Sequence, residues 1–236
     1  PRNMVRLCSR MRRALSSSNI MGMLLCLQDT FSVYTGRTEG AIFCLQNHAE
    51  VVKLFLTLSD RGNNRGKKKT DLIAAPGLNA ESEIYLKTEN LQVTGSFKVR
   101  GAYYKISQLT ADEKAKGVIA SSAGNHAQGV ALAAQRSNIP SVICMPDGAP
   151  ISKVEATKAY GAQVCLVKGA YDDAYDYACK LQKEKGYTFI HPFNDAEVIA
   201  GQGTVGLEIL DQLPDVEVVL VPVGGGGLIS GVAYAI

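Results

Sequence analysis

From Glu83 to the end of the chain, short apolar runs alternate with longer segments whose apolar residues recur at helical spacing. The pattern predicts strands over 83–86, 117–121, 141–145, 163–168, 187–191 and 216–223. Between them it predicts helices over 96–109, 124–136, 152–160 and 171–185. A helical stretch over 197–213 is expected to be interrupted by Gly201 and Gly203, and a last helix to run from Leu228 to the end. Pro140 and Gly161 supply stops, and Pro146-Asp147-Gly148 a turn. Strands alternating with helices of this length predict βα units and a parallel sheet. The unbroken run Val218-Val219-Leu220-Val221 suits a strand buried on both faces.

Three segments interrupt this regular pattern with candidate chemistry. Lys98 lies in Thr94-Gly95-Ser96-Phe97-Lys98-Val99-Arg100-Gly101, where Gly95 and Ser96 leave room for a bulky ring beside the backbone. A lysine of lowered pKa condenses with carbonyls and can serve as a general base. The bland alternative is a surface lysine on the first turn of a helix. Gly224-Gly225-Gly226-Gly227 opens a helix at Leu228, which suits a phosphate group, although a tight turn that binds nothing is the competing reading. Ser122-Ala123-Gly124-Asn125-His126 opens the alanine-rich helix after a strand, a place that suits a carboxylate. His126 alone could equally be a packed core histidine. An imine-forming lysine together with a phosphate cradle points to pyridoxal 5′-phosphate, a phosphorylated aldehyde.

The order and spacing of these segments resemble the pyridoxal-phosphate-dependent serine/threonine dehydratases over residues 82–236, on three motifs: Thr94–Ala102, Ser122–Gly129 and Gly224–Leu228. The resemblance implies the tryptophan synthase β-like fold (fold type II), with two open parallel-sheet α/β domains and the cofactor between them. Residues 117–186 would form the small domain, and 81–116 with 187–236 part of the large one. It further implies that Lys98 carries the cofactor and takes the Cα proton. Phe97, Asn125, Gly224, Gly225, Gly226, Gly227 and Leu228 would bind the cofactor, with Asn125 reaching its 3′-oxygen. Ser122, Ala123, Gly124, Asn125 and His126 would receive the substrate. The implied reaction removes water and ammonia from L-threonine or L-serine, giving 2-oxobutanoate or pyruvate, with the cofactor phosphate a candidate donor of the proton to the departing hydroxyl. Ala123 stands where the racemase branch of the family carries an acid/base serine, and alanine has no proton to give. Phe97-Lys98-Val99-Arg100-Gly101 also differs from the Lys-Asp-Arg pattern of the β-replacing sulfhydrylases. A racemase-like or β-replacement enzyme, an inactive cofactor-binding fragment and a Rossmann-type nucleotide binder remain the alternatives. The last would want G-x-G-x-x-G and a later acidic residue. Family catalytic domains continue beyond the position of Ile236, so the chain alone is expected to expose the apolar 216–223 strand and to be poorly active.

Composition changes this picture little. Of 236 residues 46% are hydrophobic and 20% charged, which is ordinary for a globular protein, and no apolar run is long enough to span a bilayer. The net charge of +3 divides unevenly. Residues 1–80 hold 12 Lys and Arg against 5 Asp and Glu, whereas residues 81–236 hold 13 against 17. No recognisable nucleic-acid module accompanies the basic third, and Arg61–Lys69 reads as a solvated linker. The arginines and Ser16-Ser17-Ser18 near the start resemble a targeting segment, with a fused or frame-shifted leader the alternative; residues 1–80 are assigned no function. The six cysteines show no CxxC pairing, and three histidines are too few for a metal cluster, so no metal is expected. A reducing, cytoplasmic setting is expected. The expected partners are a small amino-acid substrate and further copies of the chain as a dimer or tetramer, with neither nucleic acid nor membrane. The resemblance adds a possible nucleotide effector without placing its site.

Overall fold

The computed structural model describes residues 22–26, 68–78 and 83–236; the targeting-like segment and most of the Arg61–Lys69 run lie outside the described residues. The larger of two compact units comprises Leu45–Val216 and Gly225–Ile236. Its centre is a four-stranded parallel sheet of β4 (Val118–Ser121), β5 (Ser141–Pro146), β6 (Gln163–Val167) and β7 (Thr188–Phe189), in the order β6-β5-β4-β7. The chain climbs outward from β4 through α3 (Asn125–Arg136), α4 (Ile151–Ala159) and α5 (Tyr171–Lys185), then returns to place β7 on the other side of β4. The direction of winding therefore reverses between β4 and β7. In open α/β sheets a ligand sits beside the carboxyl ends of the strands at such a reversal.

Alternation along the strands distributes the core between two faces. Val118, Ala120, Ile143 and Met145 join Ala127, Val130, Ala131 and Ala134 of α3 in one cluster. Ile119, Val142 and Cys144 meet Ala174 and Ala178 of α5 in the other. Cys144 is paired in register with Cys165, and burial, reinforced by that neighbour, pushes its thiol up to about 12. It acts as a small apolar group, as its place in an apolar strand suggested.

Outside the sheet, α1 (Lys98–Gln108) and α7 (Gly227–Ala235) pack against α6 (Ala196–Gln212). Helix α6 is continuous, contrary to the interruption expected at Gly201 and Gly203. Those glycines are contact points. A β-carbon on Gly201 would stand 2.6 Å from the Cα of Gly101 on α1, and one on Gly231 of α7 would stand 2.6 Å from the nitrogen of Gly203. Close backbone approach outweighs weak helix propensity here.

Three further differences have local causes. The expected strand over 187–191 shrinks to β7: Ile190 N still donates to Ile119 O at 2.8 Å, but Pro192 has no N–H with which to continue the ladder. Residues 111–116 form the short helix α2 (Ala111–Lys116), started by a reciprocal capping box between Thr110 and Glu113. Residues 72–74, in the stretch left unassigned, form β2 (Leu72–Ala74), which pairs antiparallel with β3 (Tyr85–Lys87).

The smaller unit, Pro1–Cys44 with Glu217–Gly224, contains β1 (Gly22–Cys26) and β8 (Val218–Pro222), paired antiparallel from Gly22 opposite Pro222 to Cys26 opposite Val218. In β8 the side chains of Val219 and Val221 are buried while Leu220 is 51% exposed. The strand thus follows the one-sided alternation of an antiparallel pair and lacks the two-sided burial and parallel pairing expected of it. No helix among the described residues is long and apolar enough to cross a membrane, and none of their side chains cluster as metal ligands.

Candidate active site

The loops that leave β4 and β7 lie side by side at the carboxyl ends of these neighbouring strands, where the winding reverses. The β4 loop carries Ser122, Ala123 and Gly124 into α3, and Ser122 Oγ accepts from Gly124 N at 3.1 Å. The β7 loop is the strap Ile190-His191-Pro192-Phe193, whose first two residues the sequence pattern predicts as strand.

This strap touches every candidate motif. Lys98 Nζ donates to Pro192 O at 2.7 Å. Burial removes water from the amine and lowers its pKa below the ordinary lysine value, the condition an imine-forming, proton-accepting lysine requires. The ring of Phe97, which precedes α1, lies 5.4 Å from the same amine. His126 is 3% exposed and bonds through Nε2 to Ile190 O at 2.8 Å. A carbonyl only accepts, so Nε2 carries the proton. Burial holds the imidazole down to about 4, with the nearby Lys98 and His191 charges also lowering it; the ring is neutral, and its Nδ1 has no hydrogen-bond partner among the described residues. Phe193 packs against the glycine turn: β-carbons on Gly225 and Gly227 would come within 2.3 Å and 2.9 Å of it.

The glycine turn has a second, open side. A hypothetical β-carbon on Gly226 meets nothing within 4 Å among the described residues. Gly226 takes the left-handed conformation, φ 85°, and caps the start of α7, where Leu228 lies half-buried in the first turn. The first intrahelical bond runs from Ser230 N to Gly226 O at 2.9 Å, so the preceding N–H groups are without helical acceptors and can receive an anion. Two motifs also meet directly. Gly129, the last residue of the Ser122–Gly129 motif, allows α3 to lie against the backbone of Lys98, where a β-carbon would stand 3.0 Å away. Asn125 is exposed, and its Oδ1 accepts from Lys153 Nζ at 3.0 Å. Ser121, at the end of β4, holds a buried hydroxyl without a partner among the described residues.

A desolvated amine and an open, glycine-lined helix start, joined through adjacent residues of one strap, fit a phosphorylated aldehyde. Pro192 in an otherwise strand-like run, beside a strand end, was the available signal for the strap.

Residues 64–236 match the model of the pyridoxal-phosphate dependent enzyme family, and the chain belongs to that family, whose cofactor is pyridoxal phosphate. The match begins earlier than the Ser82 suggested by the motifs and takes in the β2–β3 pair. Among its relatives is an L-threonine ammonia-lyase from Thermotoga maritima, 64% identical over 154 residues, covering 65% of this chain and 38% of that protein. Similar solved structures include the processed form of threonine deaminase isoform 2 from Solanum lycopersicum, at TM-score 0.73 and 40% identity, covering 79% of this chain and 52% of that one. Maize serine racemase follows at TM-score 0.71 and 36% identity, with 78% of this chain and 55% of that one covered. The chain therefore spans between 38% and 55% of the length of these relatives. Its α/β fold is that of fold type II.

Proposed function

We propose that the protein is a pyridoxal-phosphate-dependent ammonia-lyase that converts L-threonine, and L-serine, to 2-oxobutanoate or pyruvate and ammonia. The observation that carries the proposal is the desolvated Lys98 amine, held 2.7 Å from Pro192 O on the same strap that packs against the glycine turn. The names of the Thermotoga maritima and Solanum lycopersicum relatives support the choice of threonine.

When bound, the cofactor supplies an electron sink for a Cα–H bond. The chain's own residues do the rest. The N–H groups at the start of α7, beyond Gly224–Gly226, hold the phosphate. The start of α3, with Ser122 and Asn125, receives the substrate carboxylate. Lys98, whose amine burial makes easier to deprotonate, takes the Cα proton on Nζ. Ala123 offers no proton to the opposite face of Cα, which favours elimination over racemisation despite the likeness to maize serine racemase. The division into a small domain over 117–186 and a larger one over 81–116 with 187–236, a homo-oligomeric state and a cytoplasmic setting belong to the same proposal.

The test is turnover of L-threonine and L-serine with chiral analysis of the products. The expected result is 2-oxo acid and ammonia, abolished in Lys98→Ala. Substantial D-serine, or a β-substituted amino acid without 2-oxo acid, would overturn the proposal.

A further inference from the structure

We infer that the main-chain carbonyl of Pro192 is the resting acceptor of the Lys98 amine whenever that amine is not bonded to the cofactor, and that the imidazole of His126 fixes this carbonyl in place. The inference rests on the proposed role of Lys98 as the cofactor lysine.

An amine that carries the cofactor must be released when a substrate amine takes its place, and must later return. A free lysine head on a flexible stem would otherwise sample many positions. Here the Pro192 oxygen receives it at 2.7 Å. The strap holding that oxygen is tied on every side. Ile190 N bonds to Ile119 O, and Ile190 O accepts from His126 Nε2. His191 Nδ1 accepts from Phe193 N at 3.2 Å and from Asn194 N at 2.8 Å. The Phe193 ring is seated against Gly225, and its Cα and carbonyl oxygen against Gly227.

His126 thus has a different task from the substrate contact expected of it. Its ring is buried and its one proton is committed to the strap, so it acts as a positioning residue, through Ile190 and Pro192, on Lys98. Its neutral state suits that task, because a neutral donor ties down the Ile190 carbonyl, and with it the strap, without placing a positive charge beside the Lys98 amine.

The test reads the Lys98 amine in the cofactor-free chain. Lys98 would be labelled with acetic anhydride across a pH series and the modified peptide quantified by mass spectrometry. His126 and His191, whose charges act on Lys98, both titrate below the ordinary histidine value and are neutral throughout the alkaline range used. A hydrogen bond to a carbonyl favours the ammonium form, so losing it lowers the amine's pKa further. His126→Phe, which removes the donor, is expected to move the labelling midpoint down by about half a pH unit or more. His126→Gln, which retains an N–H donor, should stay near the parent. Replacing Phe193 by its α-hydroxy acid turns the Pro192 carbonyl into that of an ester, a weaker acceptor, and should move the midpoint in the same direction; the Phe193 N–H is lost with it, but His191 Nδ1 keeps its shorter bond from Asn194 N. Circular dichroism confirms folding of each variant, and if His126→Phe does not fold, the ester variant decides. An unchanged midpoint in a folded ester variant overturns the inference. Failure of borohydride reduction with pyridoxal phosphate to mark Lys98 would instead sink the cofactor-lysine reading, leaving the labelling result to stand or fall separately.

Discussion

A β-carbon on Gly129 would stand 3.0 Å from both the main-chain carbon of Lys98 and the nitrogen of Val99. Helix α3 therefore lies directly on the first turn of α1, and the substrate-loop motif and the lysine motif are two sides of one backbone contact. The atoms opposite Gly129 are main chain, so they cannot turn aside as a side-chain tip would.

Gly129→Ala is accordingly expected to push the Lys98 turn away by a few tenths of an ångström and to cost about 1–3 kcal/mol through overpacking. Denaturant unfolding measures the loss. Labelling of Lys98 by pyridoxal phosphate and borohydride should fall in parallel, whereas Gly148→Ala, at a turn with open space around it, should alter neither. Equal effects of the two substitutions would refute the contact.

Burial of Lys98 costs stability in a pH-dependent way. Its pKa is lower in the folded chain than in the unfolded one, so between those two values the unfolded state binds more protons and stability rises with pH. Below the folded pKa the full penalty applies; above about 10.4, the unperturbed lysine value, it has vanished. Lys98→Met is expected to abolish cofactor attachment yet raise the melting temperature of the cofactor-free chain at neutral pH, with a gain that shrinks as the pH approaches that of free lysine. A constant gain at all pH values would show that packing, and not the charge, is responsible.

The parts of the fold that could be read from sequence are those governed by local periodicity. Helix α5 is legible to the residue because its apolar spacing, its acidic first turn and its Gly186 stop agree. Helix α2 was overlooked although Thr110-x-x-Glu113 is a capping-box signature, because the helix it starts is short and has no buried side chain to betray a period. The motifs located Lys98, the β4 loop and the glycine turn, since each combines unusual residues within a few positions. They could not locate the strap. Pro192 contributes only its backbone oxygen, and which strand neighbours β4 is decided by pairing over a long sequence separation. Nor could they show that Gly201 and Gly203 serve helix crossing, because the partners Gly101 and Gly231 lie on other elements.

The buried His126 should make the fold acid-sensitive. Burial holds its imidazole at about 4 when folded, against about 6.5 when unfolded. The unfolded state thus binds the extra proton first as pH falls, and stability declines between about 6.5 and about 4 and then levels off. The full difference corresponds to about 3 kcal/mol. His126→Gln, which cannot titrate, is expected to flatten that part of the stability–pH curve while preserving the bond to Ile190. Should the mutant and parent curves run parallel from pH 7 to pH 4, the histidine is not the group responsible.

Arg100 closes a buried ion network behind the lysine. Its guanidinium forms bonds of 2.7–2.8 Å to both Glu89 and Glu208, and a further bond of 3.0 Å to Thr204 Oγ1. Lys87 meets Glu208 at 2.7 Å as well, so the network ties β3, the start of α1 and α6 together. Burial alone would raise the Glu208 carboxyl, but hydrogen bonds from Arg100 and Lys87, with their charges, hold it below the usual carboxylate range. Arg100→Met leaves two largely buried carboxylates facing an apolar side chain and is expected to cost about 3–5 kcal/mol. Arg100→Lys should recover only part of this, since an ammonium cannot fork between two carboxylates. Adding Glu89→Gln to Arg100→Met removes the carboxylate that has lost its cation, while Glu208 keeps Lys87, so the double variant should be more stable than Arg100→Met alone. Thermal unfolding of the three variants decides the matter: a double variant no more stable than the single one would mean that the loss comes from packing around the arginine stem and not from stranded charge.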